Sequence, residues 1–231
     1  MYYILLDNIS SIQKGFMITS RPSMPAPEKN YNTYDIPGRD GTLYEDLGTI
    51  DDIEIEVECN YIASEHLWNE KWREIKKWLF ERHKLLQFSD DHSCCYRIKT
   101  IALSANERTI KIDGSFSITF VLEGYTYFIN GLEKQPYEYV KYNPYESTKP
   151  LYYITGNGTC ILTVNGTECT CAVSDNLIID TYLQLSYKED GTNQNTSVNC
   201  NYEDLKLLQG DNEISITSGF DLEIVPNWRC Y

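Results

Sequence analysis

The sequence lacks any apolar run near the roughly 18 residues that a bilayer-spanning helix needs. Its longest N-terminal one, Tyr2 to Leu6, is also too short for the hydrophobic region of a signal peptide. The expectation is a protein made in a cytoplasm, with no membrane insertion. Basic residues are scarce: 20 Lys and Arg stand against 34 Asp and Glu, a net charge of -14. The deficit is even, -7 in residues 1–147 (16 against 23) and -7 in 148–231 (4 against 11). A protein that grips nucleic acid must neutralise several phosphates, and neither part is equipped to do so. The one local basic cluster, Arg73, Lys76, Lys77 and Arg82, reads as the solvated C-terminal half of a helix, where cations complement the dipole.

Eight cysteines in 231 residues are too few for a disulfide scaffold, and the adjacent Cys94 and Cys95 are badly placed for a bridge. Reduced thiols are expected. Histidine occurs three times, at His66, His83 and His92, never in an HExxH arrangement. The spacing of His83, His92, Cys94 and Cys95 fits no zinc finger. There is no GxSxG elbow, no phosphate-cradling loop and no dinucleotide fingerprint. The segment KEDGTNQN (188–195) lacks the alternating acids and distal Glu of a calcium loop and reads as a turn. Sequons at Asn8, Asn157, Asn165 and Asn195 carry no meaning outside a secretory pathway. No catalytic residue, cofactor or metal ligand is assigned, and the chain does not read as an enzyme.

What is present is pattern. In IDDIEIEVECN (50–60), Ile53, Ile55, Val57 and Cys59 alternate with Glu54, Glu56 and Glu58, the period of a half-buried strand with a carboxylate outer face. Residues 64–82 predict the one main helix, with Ser64 as N-cap and Trp68, Trp72, Ile75 and Leu79 on one face. A continuous strand is expected from about Arg108 to Val121, with Ile110, Ile112, Phe116, Ile118 and Phe120 on one face. Gly114 then takes an inward slot, where a close approach is the usual reason for glycine.

From Tyr125 to Pro150 the pattern dissolves into Tyr, Asn, Gly and Pro, and the domain boundary is placed there, giving domains 1–147 and 148–231. Beyond it only short strands and turns are legible. Asn165-Gly166 predicts a two-residue hairpin pairing Val164 with Thr167, Leu162 with Cys169 and Cys160 with Cys171. Cys160 and Cys171 thus sit opposite one another; free thiols at a hydrogen-bonded pair are favoured over a bridge. Further strands are expected at 176–180, 181–187, 213–217 and 221–225. The fold class is mainly β with one main helix: an N-terminal α+β domain, then a β-sandwich.

The stretch at 19–62, and above all PGRDG at 37–41, resembles the N-terminal region of phage distal tail proteins, the Dit family of siphophage tail components in Gram-positive hosts. The resemblance continues through WNEKWREIKKWL (68–79), LQFSDD (86–91), GSFSITFVLEGY (114–125), LTVNGTE (162–168), IIDTYLQLSYKEDG (178–191) and IVPNWR (224–229), in order. It implies a structural virion protein of the tail tip. The N-terminal domain would build a homo-hexameric ring joining the tail tube protein to the tail-tip or baseplate proteins. The C-terminal sandwich would be galectin-like, and in relatives it sometimes docks receptor-binding or baseplate proteins. The segment 19–41, with Pro22, Pro25, Pro27 and Pro37, is the candidate reach to a neighbour; its ring-interface candidates are Arg21, Pro37, Gly38, Arg39, Asp40 and Gly41. Glu54, Glu56 and Glu58 are lumen-lining candidates, past which DNA would slide without sticking. A competing reading is carbohydrate binding to the host cell wall by Tyr152, Tyr153, Tyr182 and Tyr187; a third is a cell-wall hydrolase.

Overall fold

The computed structural model describes residues 2–108 and 110–231. The described chain is mainly strand with one α-helix and divides into two compact units, one running to Thr126 and including Tyr231, the other Tyr127–Cys230.

In the first unit the elements are β1 (Ile4–Leu6), β2 (Ile9–Ser10), β3 (Met17–Ile18), β4 (Lys29–Tyr34), β5 (Leu43–Ile50), β6 (Ile53–Ile62), α1 (Trp68–Leu79), β7 (Leu85–Phe88), β8 (Asp91–Leu103) and β9 (Asp113–Phe128). The main sheet has the order β2-β1-β7-β8-β9-β6-β3, and β4 pairs only with β5. The alternation at 53–59 is realised: Ile53, Ile55, Val57, Cys59 and Tyr61 point inward and the three glutamates outward. Opposite them on β9, in register, stand Leu122, Phe120, Ile118 and Phe116. α1 lays Trp68, Ile75, Trp78 and Leu79 into the same core. Each such fully buried side chain contributes about 1.5–3 kcal/mol.

Two expectations for this unit are corrected. The helix is shorter than 64–82, because the chain turns first at Ser64, whose carbonyl accepts from Leu67 N–H at 2.9 Å. Leu67 is the N-cap, without a side-chain cap, and Trp78 joins the buried face. The strand expected from Arg108 begins only at Asp113, leaving Ile110 and Ile112 exposed at 59% and 45%. Ser117 of β9 is tied instead to the Ser104 end of β8, its carbonyl accepting from Ser104 N–H at 3.0 Å. The chain therefore loops over before the strand starts, and matching parity at 110 and 112 was coincidental. Gly114 does have a close neighbour: a Cβ there would run into the Tyr61 ring. That ring cannot step aside, being fully buried, stacked on Trp72 at 6.3 Å, and held by Asn106, which donates to its hydroxyl at 2.7 Å.

The second unit contains β10 (Gln135–Pro136), β11 (Tyr142–Asn143), β12 (Leu151–Val164), β13 (Thr167–Asp180), β14 (Leu185–Tyr187), β15 (Val198–Asn199), β16 (Gly210–Asp211), β17 (Ile214–Ile216), β18 (Asp221–Val225) and β19 (Arg229–Cys230), with short 3-10 turns. It begins at Tyr127 and not at 148. Residues 127–147 belong to it because β10 pairs with β18, β11 with β16, and Val140, Phe128, Tyr137 and Tyr145 pack into its core. No periodicity marks these short pieces, so the sequence reads them as a linker.

The hairpin at Asn165-Gly166 has the expected register, Val164 to Thr167 through Cys160 to Cys171. Both turn residues take positive φ, 50° and 83°, as a two-residue hairpin loop demands. The strands run much further than expected, 14 residues each, so 176–180 is the end of β13 and not a separate strand. Only Leu185–Tyr187 of the 181–187 segment is strand, because Asp180 accepts from the N–H groups of Tyr182 and Leu183, both at 2.9 Å, and turns the chain. β12 bends at Gly156 and Gly158, both at positive φ, with Phe220 against the bend. Tyr152 and Ile154 before it, and Cys160, Leu162 and Val164 after it, all enter one core.

The thiol expectation is corrected at one pair. Cys160 and Cys171 are free, but Cys169 is bonded to Cys200, with Cα atoms 5.0 Å apart. Cys200 lies 31 residues further on in a connecting segment, beyond anything local spacing reveals. Burial pushes the Cys171 thiol up to about 12.

Candidate subunit interface

The sequence favours a hairpin at 29–50 for local reasons. Pro37-Gly38 forms the corner of a turn in which Arg39 N–H donates to the Ile36 carbonyl at 3.1 Å, and Gly38 has φ +82°. Proline at the second position and a positive-φ glycine at the third are the requirements of a type II turn. Thr42 Oγ1 donates to Asp35 at 3.0 Å and closes the loop, and Gly41 supplies a second positive φ. The register then runs Tyr34–Leu43, Thr33–Tyr44, Asn32–Glu45 and Tyr31–Asp46, with a bulge before Lys29–Ile50. Tyr34 donates to Glu45 at 2.9 Å, and Tyr31 meets Tyr44 edge-on at 6.0 Å.

Almost every residue of this hairpin is exposed; within the two strands only Asn30 and Ile50 are half-buried. Tyr31, Tyr34, Ile36, Leu43, Tyr44 and Leu47 are between 38% and 64% exposed. A two-stranded ribbon is marginal in water by itself. The register puts Tyr34 and Leu43 on one face of the ribbon and Tyr31 and Tyr44 on the other, so both faces carry exposed apolar surface.

Of the ring-interface candidates, Pro37, Gly38, Arg39, Asp40 and Gly41 are together at the tip of this hairpin, all exposed. Arg21 is not with them; it pairs with Asp90 at 2.7 Å beside the main sheet. The hairpin that holds these candidates, 29–50, overlaps the expected reach 19–41 in its first strand and tip, and its second strand carries half the exposed apolar side chains. Sequence reasoning missed Tyr44 and Leu47 because neither has a buried partner in its own unit that would mark its face. PGRDG between two tyrosine-bearing segments was the available hairpin signal.

Glu54, Glu56 and Glu58 line one exposed row of β6, opposite Val121, Thr119 and Ser117 of β9. Glu58 accepts from Ser20 at 3.2 Å and from Thr19 at 3.4 Å. Among the described residues none of the three is in an ion pair. The row presents carboxylate backed by hydroxyl side chains.

His83 serves the scaffold: its Nε2 lies 2.8 Å from the Trp78 carbonyl and its Nδ1 3.3 Å from Asp7. Among the described residues no three His, Cys, Asp or Glu side chains gather as metal ligands would. Of the tyrosines considered for sugar binding, Tyr152 is fully buried and donates to the Leu205 carbonyl at 2.7 Å. Tyr153 and Tyr187 flank Ile178 in one row across β12, β13 and β14, with Lys134 3.9 Å above the Tyr153 ring. Tyr182 lies in the turn after β13.

The fold of the whole chain is that of a phage tail hub protein. It is similar to the crystal structure of SPP1 Dit (gp 19.1), described as a paradigm of the hub adsorption apparatus in phages that infect Gram-positive bacteria. The two superpose with a TM-score of 0.64 over 97% of this chain and 98% of that one, at 12% sequence identity. No protein-family model matches the chain, and no curated protein sequence matches it.

Proposed function

We propose that this chain is a distal tail protein, a structural virion component of a phage or prophage tail tip, made in the host cytoplasm. In this reading the first units assemble into a hexameric ring that joins the tail tube protein to the tail-tip proteins, and the second units are docking sites for receptor-binding or baseplate proteins. The observation that carries it is the exposed apolar hairpin β4–β5 on a chain whose fold matches a tail hub protein from end to end. A ring repeats one heterologous contact by rotation, so each subunit needs an element that leaves its own core for its neighbour's. The carboxylate row of β6 suits a lumen, where it repels passing DNA phosphate. Lys at 54, 56 and 58 is then expected to slow DNA ejection; unchanged kinetics would sink the lumen assignment.

Native mass spectrometry of the purified chain tests the ring. Six copies of 26.8 kDa give a species of about 161 kDa, and cross-linked virions give a ladder ending at six. A monomer at every concentration together with no ladder in virions overturns the ring. Carbohydrate binding by the second unit is the second reading, resting on Tyr153, Tyr182 and Tyr187. Specific signals for host cell-wall saccharides on a glycan array would favour it, and a blank array would remove it.

A further inference from the structure

The cations of this acidic chain are not spread evenly: 8 of the 20 Lys and Arg fall within residues 71–99. The helix α1 and its exit, residues 69–84, hold six of them against Glu70, Glu74 and Glu81, a local +3 in a chain of -14. Lys71 is paired with Glu74, and Lys76 lies over the Trp72 ring at 5.4 Å. Arg73, Lys77, Arg82 and Lys84 are exposed, and among the described residues they form no ion pair. Arg73 and Lys77 are one helical turn apart on the same side, and Phe80, 66% exposed, continues that line. A cation row ending in an exposed phenyl ring contributes nothing to the core of its own unit.

The hairpin is its complement. Across 29–50 Asp35, Asp40, Glu45 and Asp46 stand against Lys29 and Arg39, a local -2, with Asp46 3.9 Å from Lys29. Its exposed Tyr34 and Leu43, paired on one face, offer apolar surface to a phenyl ring. The eight residues of β5 extend roughly 25 Å at about 3.3 Å each, enough to lie along the roughly 18 Å of a 12-residue helix at about 1.5 Å each. Copies that each carry -14 repel one another, and screening over about 8 Å leaves the decision to charges at the contact itself. A head-to-tail contact between such copies needs its few uncompensated cations opposite carboxylates.

We infer that the receiving surface for the β4–β5 hairpin is the Arg73–Lys77–Phe80–Arg82 face of α1 on a second copy of this chain. This rests on the ring reading and specifies which surfaces meet. The test is a charge exchange. One variant reverses the helix, Arg73→Glu, Lys77→Glu and Arg82→Glu; the other reverses the hairpin, Asp40→Lys, Glu45→Lys and Asp46→Lys. Like charges at a contact cost several kcal/mol, so each variant alone is expected to lose about 100-fold or more in association. In an equal mixture every hairpin finds an opposite-sign helix on the other variant, and alternating rings form with two contact types. Tryptophan fluorescence verifies that both variants are folded, and in the native chain the association should weaken as salt rises.

Rescue in the mixture, and in the mixture only, supports the pairing. If both variants still assemble alone, or if the mixture fails as each variant does, the pairing is wrong while the native ring reading stands. If the native chain is a monomer at every concentration and cross-linked virions give no ladder, both fall together.

Discussion

The close approach of Gly114 to Tyr61 makes a prediction whose sign depends on the background. Gly114 is buried in β9, where its φ is ordinary for a strand, so alanine there has no backbone penalty. By conformational entropy alone, Gly114→Ala should stabilise the protein by about 0.4–1 kcal/mol, through a less flexible unfolded chain. The new methyl, however, meets the Tyr61 ring, which Trp68, Trp72, Phe116 and the Asn106 hydrogen bond hold in place. Overpacking of this kind costs about 1–3 kcal/mol and outweighs the entropy gain. Net destabilisation of about 1–2 kcal/mol is expected, a fall in urea midpoint of roughly 0.5–1 M for an m-value near 2 kcal/mol/M. In a Tyr61→Ala background, already destabilised by about 3–5 kcal/mol, the obstacle is gone and Gly114→Ala should become neutral or stabilising. The assay is urea unfolding followed by tryptophan fluorescence, since Trp68, Trp72 and Trp78 all report on this unit and only Trp228 on the other. Equal destabilisation by Gly114→Ala in both backgrounds would refute the steric argument.

Three further outcomes are expected. Cys200→Ser opens the loop closed to Cys169 and should cost about 3–4 kcal/mol by loop entropy, measured as a lower unfolding midpoint; peptide mapping that finds Cys169 and Cys200 unlinked in the oxidised protein would contradict the pairing. Native alkylation at pH 8 should spare Cys95 and Cys171, whose thiols burial raises to about 12 and which are therefore almost fully protonated there; rapid labelling of either without denaturant would show that its core is open. Gly38→Ala is strained by about 1–2 kcal/mol at positive φ, but the ribbon buries so little that it opens locally without the core, so the urea midpoint should stay unchanged within error while six-fold association weakens; a lowered midpoint with intact association would reverse the roles of tip and core.

The legible parts of the sequence were those whose pattern is answered inside the same unit. The β6 alternation and the Asn165-Gly166 register were readable because each inward side chain has a buried partner one strand away. β8 carries no such signal: apart from buried Cys95, its 13 residues mix exposed and half-buried positions without regular alternation. Val140 and its neighbours looked like a linker because each two-residue strand there is recruited by a strand some 70–90 residues away. The Cys169–Cys200 bond was hidden by its own separation of 31 residues. At the candidate interface, PGRDG is visible as a turn, but the exposure of Tyr44 and Leu47 is not, because no buried side chain of their own unit answers them.

The bare ribbon β4–β5 has a consequence for timing. With so little of it buried, part of the entropy cost of holding its side chains in place is met only when it docks. In the proposed ring a first pair of subunits would bear that cost with a single contact, whereas the last subunit would make two contacts at once. Slow starting and fast closing would follow, so partial rings should be rare, and a platform that gathers subunits would decide where rings form.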